Sequence, residues 1–243
     1  MKTSSKIFFA TLLLLFGSLT AYNMALRHEF GQGTYKDPLH NYTALGFRNF
    51  EAVSVPSASG LKVKIVAGPF AVRVNKEAAD FVRVSQRGQQ LLVTLVYPQE
   101  PQYLGRQDAV VITCPRLGTL TTDGTYTVAG KPPLDKLQTG GTVLVQGFQQ
   151  DSLTLRQNRS NQIRLEGNTL SWLRAVVGTS PGSGPELQIG SDNHIQAADL
   201  TIGHQGRLDL ATAIPRLHQQ FSDSATVTFS GVAAQGLGAR AAE

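Results

Sequence analysis

Six pairs of apolar residues, each pair split by a single residue, recur through the second half of this 243-residue chain. They are Leu153/Leu155, Ile163/Leu165, Leu187/Ile189, Leu200/Ile202, Leu208/Leu210 and Val227/Phe229. Side chains alternate between the two faces of a β-strand, so this spacing puts both members of a pair on one buried side and the residue between them outward. Taken in threes, Leu153 and Leu200, Ile163 and Leu208, and Leu187 and Val227 lie 47, 45 and 40 residues apart, a loose period in the low forties or half that. The pattern predicts an all-β chain, specifically a β-solenoid whose short strands stack coil upon coil, with a β-sandwich as the alternative. Gly167-Asn168 and Asp192-Asn193 fall between pairs and read as corners of positive φ.

The first half carries the same strand period less regularly. Leu61 to Ile65, Val72 to Val74, Phe81 to Val84, Leu91 to Val96 and Ala109 to Ile112 alternate or run apolar, bounded by Gly60, Gly68-Pro69, Arg87-Gly88 and a longer loop from Pro98 to Gly105. The folded region is read as residues 50–231, with 232–243 as a flexible tail. Beyond Leu26 no stretch shows a convincing amphipathic helical repeat; Glu77 to Val82 is the one short candidate.

Ahead of the strands, Lys2 and Lys6 precede an uncharged run from Ile7 to Leu26, long enough as a helix to cross about 30 Å of hydrocarbon. Residues 7–26 are read as a transmembrane anchor or signal segment. The small-residue cleavage signals near Ser18 to Ala21 are weak, which favours retention of the anchor. Residues 1–6 would then be a cytoplasmic flank, residues 27–49 a stalk, and the strands would face the periplasm. The expected localisation is the bacterial cell envelope, as a single-pass inner-membrane protein or, alternatively, one secreted after cleavage.

Composition narrows the function. The formal charge is +5, but without Lys2 and Lys6 the chain has 20 basic against 17 acidic residues, too small an excess for nucleic acid. The single cysteine, Cys114, permits no internal disulfide and sits in the run Val110 to Pro115, where it reads as a buried hydrophobe. The histidines, at 28, 40, 194, 204 and 218, lack the short spacings of a metal site, and no cofactor is expected. Asp192, Asp199, Asp209 and Asp223 are the candidate carboxylates for polysaccharide chemistry, but they read as solvated. Trp172, flanked by Leu170 and Leu173, reads as core. Tyr97, Tyr103 and Phe148, in or near loops, and Arg156, Arg164 and Arg174, from the local density of cations, are the candidate partner contacts.

A further pattern is Phe50-x-x-Val53-x-Val55, then Gly60-Leu61-x-Val63-x-Ile65-x-x-Gly68, then Val72-x-Val74. A strand closing on Cys114-Pro115 comes next, with Leu117-Gly118-Thr119-Leu120 and Asp123-Gly124 after it. The pattern resembles the auto-transporter adhesin family that carries the head GIN domain, over roughly residues 50–231. The Gly-Ser-Gly-Asp turns typical of that family survive here only as fragments such as Gly182-Ser183-Gly184 and Gly190-Ser191-Asp192. The resemblance implies a right-handed β-helix-like domain at the bacterial envelope, with an adhesive role and no defined catalytic residues. The functional expectation is a non-enzymatic, membrane-tethered module for adhesion or scaffolding, touching the membrane through residues 7–26 and an envelope protein or glycan through its strands. A polysaccharide-acting β-helix enzyme and a signalling ectodomain are the alternatives.

Overall fold

A computed structural model describes residues 3–33, 37–132, 140–159, 161–182 and 184–240. Lys2, Ser183 and the last residues of the expected tail, 241–243, lie outside them. The chain divides into two compact units, Met1–Tyr42 and Thr43–Glu243. The first is built on one helix, α1 (Thr3–Gln32), which continues past Leu26 into the segment expected to be a stalk. Within it Lys6–Gly31 is long and apolar enough to cross a membrane, a property that a signal sequence shares. Its phenylalanines and leucines are exposed, while the hydroxyls of Thr11 and Thr20 donate to the carbonyls of Ile7 and Phe16 one turn back. Those bonds satisfy polar groups that hydrocarbon would penalise.

The strands begin with β1 (Tyr42–Leu45), β2 (Ala52–Val55), β3 (Lys62–Ala67), β4 (Ala71–Asn75), β5 (Val82–Arg87) and β6 (Gln90–Tyr97). Then come β7 (Val110–Cys114), β8 (Thr119–Thr122), β9 (Thr127–Val128), β10 (Thr142–Gln146), β11 (Gln149–Gln157) and β12 (Gln162–Glu166). The remaining strands are β13 (Thr169–Val177), β14 (Glu186–Ile189), β15 (His194–Ile202), β16 (Arg207–Leu210), β17 (Arg216–Phe221) and β18 (Thr226–Phe229). A helix, α2 (Gly231–Arg240), occupies most of the segment read as a tail.

Two nine-stranded sheets share one apolar core. The first runs β1-β4-β7-β3-β10-β12-β14-β16-β18; the second runs β17-β15-β13-β11-β8-β2-β6-β5, with β9 on β6. The all-β expectation holds. The β-solenoid does not, because the sheets are mixed: β4 pairs antiparallel with β7, and β5 antiparallel with β6. The second reversal has a local cause. Only Gly88 and Gln89 separate the paired ends Arg87 and Gln90, and with Gly88 at φ 57° they turn the chain straight back. A parallel neighbour would need a crossover of roughly a dozen residues or more.

From β10 onward the pairing is parallel, and it reassigns the apolar pairs. Val143, Ile163, Leu187, Leu208 and Val227 are successive partners across the first sheet. Leu155, Ala175 and Leu200 are successive partners across the second. The six pairs therefore divide between two sheets instead of recurring in threes.

Inward alternation shifts at one place in the long strands of the second sheet. In β13 the buried residues are Leu170, Leu173, Ala175 and Val177; in β15 they include Ile195, Ala198, Leu200 and Ile202. A three-residue step replaces a two-residue step, so Ser171-Trp172 and Gln196-Ala197 become consecutive outward positions.

Buried asparagines tie neighbouring layers together at the ends of the first sheet's strands. Asn193 Nδ2 donates to the carbonyls of Leu165 (2.7 Å) and Gly190 (2.9 Å), and its Oδ1 accepts from Asn168 N (3.0 Å) and Asn168 Nδ2 (2.9 Å). Asn168 repeats the device one layer back, with Nδ2 donating to the Val145 carbonyl and Oδ1 receiving Phe148 N. The turns expected at Gly167-Asn168 and Asp192-Asn193 exist, but of these four residues only Gly167 has positive φ, and the asparagines act by hydrogen bonding.

Candidate functional site

The six contact residues expected from the sequence separate. Tyr97 and Phe148 are core, 5% and 1% exposed. Tyr97 extends the inward series Leu91, Val93, Leu95, and its ring lies 5.5 Å from Phe81 and 6.0 Å from Tyr126; burial pushes its hydroxyl above the usual range. Phe148 occupies the corner beside the asparagine ladder, its N–H held by Asn168. Both rings are committed to the interior.

Tyr103, by contrast, is 76% exposed on the Pro98 to Gly105 loop. That loop borders a cavity of about 370 Å³ with Ser59, Lys62, Tyr97 and Gln107 among its walls. Ser59 Oγ is buried there with no hydrogen-bond partner among the described residues, and Lys62 Nζ reaches the Arg106 carbonyl at 3.4 Å. Nearby, burial raises the Asp108 carboxyl above the ordinary range, opposed by Lys64 and Lys62.

The arginines lie on different sheets. Arg164, in β12 of the first sheet, is paired with Glu166 at 2.9 Å. Arg156 and Arg174 are exposed on neighbouring strands of the second sheet, β11 and β13. Thr154 is the partner of Arg174, so the two arginines are a diagonal pair about 7–8 Å apart on one outward face.

Sequence reasoning missed the residue at the centre of this face. Trp172 is 46% exposed, not core. Its parity with Leu170 suggests burial, but the three-residue step from Leu170 to Leu173 turns the indole outward. Across the strands its register partners are Ser152, then Ala197, then Arg216. Ala197, beside it in register and also outward in phase, is fully buried. The next outward row is Thr154, Arg174, Asp199 and His218, with His218 Nδ1 3.0 Å from Asp199 Oδ1.

The face is thus an indole set in small residues and edged by Arg156, Arg174 and Arg216. Among the described residues none of these three guanidinium groups is held by a carboxylate. Such a surface can stack a ring and offer planar donor forks to an anion.

The chain matches no family model and no curated protein. Three solved structures are similar to it at 10% identity. A candidate adhesin from Bacteroides fragilis covers 79% of this chain and 93% of its own, with a TM-score of 0.49. A candidate lipid-binding protein from Parabacteroides distasonis covers 78% and 94%, at 0.28. A candidate adhesin from the same organism covers 77% and 95%, at 0.32. Likenesses of this strength transfer neither ligand nor activity, and the head GIN resemblance gains no family match.

The other sequence candidates stay apart. Asp199 sits in the second sheet and Asp209 in the first, where Gln188 Nε2 approaches it at 3.4 Å. Among the described residues no three His, Cys, Asp or Glu side chains converge as a metal site.

Proposed function

We propose that this chain is a non-enzymatic module of the bacterial envelope, tethered by residues 7–26, whose strands serve adhesion or scaffolding. The observation that carries the reading is Trp172: a large indole held half in solvent on a sheet face whose inward side is fully packed. Folding gains nothing from exposing it, and exposed indoles beside arginines are the residues that dominate contact surfaces. The apolar, exposed helix α1 supports the tether, with the strands on the periplasmic side.

The test combines fractionation with deletion. Full-length protein should stay with membranes after alkaline extraction, and removing residues 50–231 should alter cell attachment or the set of cross-linked envelope components. A protein recovered in the cytosolic fraction, or a deletion that leaves attachment and cross-links unchanged, overturns the proposal.

A further inference from the structure

We propose that the outward face around Trp172 binds an acidic polysaccharide, one whose pyranose rings carry carboxylate or sulfate groups; this rests on the reading of the chain as an envelope contact module. Three observations fix the chemistry. The first is the platform. Trp172 is outward and 46% exposed, and the positions on either side of it in register, Ser152 and Ala197, carry short side chains. A flat apolar ring face with small neighbours suits the axial C–H surface of a sugar ring, as it suits other stacked rings.

The second is charge. Arg174 stands two residues along the strand from Trp172, about 6.6 Å away; Arg156 is on the adjacent strand; and Arg216 lies two strands across, about 9.6 Å from Trp172 at the backbone. All three are exposed, and none is ion-paired among the described residues. The carboxylates of this face are Asp151 and Asp199, and Asp199 is engaged by His218. The face is therefore net positive, and its cations are arginines, whose planar forks match carboxylate and sulfate oxygens in pairs.

The third is shape. Parallel strands set these side chains in rows about 4.8 Å apart on an open face, which admits a chain lying across several strands. An acidic peptide would use the arginines but has no need of the indole. A neutral glycan would use the indole but not the arginines.

The experiment uses the full chain in detergent micelles and measures retention in gels containing polygalacturonate, dextran sulfate, neutral dextran or polyglutamate. Retention by one of the acidic polysaccharides is expected, falling at least about tenfold in Trp172→Ala and in the Arg156→Gln/Arg174→Gln double variant, as for a central contact residue. Trp172→Phe, which keeps a ring, should recover most of the binding. Salt should weaken it. The thermal midpoint of each variant checks that it is folded. The inference is overturned if neither acidic polysaccharide is retained, if neutral dextran is retained equally, or if polyglutamate binds as well and Trp172→Ala changes nothing. Those failures leave the membrane and attachment results untouched, so the broader function stands or falls separately.

Discussion

Replacing Asn193 by alanine should be the most damaging single truncation of a polar side chain in the parallel half. The side chain is 2% exposed and takes part in four hydrogen bonds of 3.0 Å or less, to Leu165, Gly190 and, twice, Asn168. Two of its partners keep alternatives: the Leu165 carbonyl still receives Gly190 N, and the Gly190 carbonyl still receives Asn193 N. Asn168 N loses the Oδ1 that receives it and is left in the interior. An orphaned buried donor costs about 1–3 kcal/mol and each of the three further lost bonds about 0.5–1.5 kcal/mol, so the total is about 2.5–7.5 kcal/mol. In urea unfolding of the full chain, with a slope of about 2.5 kcal/mol per M, this lowers the midpoint by roughly 1–3 M without altering the slope. Asp192→Ala, one residue away on an exposed side chain, should stay within about 0.5 kcal/mol of the parent. A loss below about 1 kcal/mol for Asn193→Ala, or an equal loss for Asp192→Ala, would show that the ladder contributes no special stability.

Burial pushes the Cys114 thiol up to about 12, with a backbone hydrogen bond from Arg116 opposing the shift. Its folded pKa is raised, so its contribution to stability is complete below the ordinary thiol range and is lost as pH rises towards about 12; Cys114→Ala should flatten that alkaline decline. Iodoacetamide should label native Cys114 slowly and unfolded Cys114 rapidly, and native labelling at the unfolded rate would refute its burial. Trp172 is the sole tryptophan, so its fluorescence reports the face directly. Iodide should quench it more than caesium at low salt, with the gap closing as salt is added, and a blue-shifted emission insensitive to both ions would return the indole to the core.

Much of the architecture can be read from residue spacing. The apolar pairs locate strands in both sheets, because burial on one face leaves an alternation that survives any choice of partner strand. The partners themselves are not legible. Ile163 and Leu187 are neighbours in one sheet, while Leu155 pairs with Ala175, whose small side chain hides β13 from a search for large apolar pairs. The direction of pairing depends on loop length, which is why Gly88-Gln89 decides β5 and β6 and no strand sequence does. Tyr97 can be assigned to the core by extending the alternation of Leu91, Val93 and Leu95. Trp172 cannot, since a period-two count carries across the step at Ser171 with the wrong sign. Cation density alone picks out Arg156 and Arg174, and only the register shows that they share a face while Arg164 does not.

The step at Ser171 also governs which accidents of heredity the molecule can survive. Its neighbours keep the same spacing at the same level, since Gln150 and Ile195 face Leu170, and Leu153 and Ala198 face Leu173. A β13 shortened by one residue at Ser171, held in register with those strands, would carry Leu173 into the outward place of Trp172 and Arg174 into the inward place of Leu173. Insertions and deletions should therefore accumulate in the connecting loops, such as residues 98–105, and spare the middle of β11, β13 and β15.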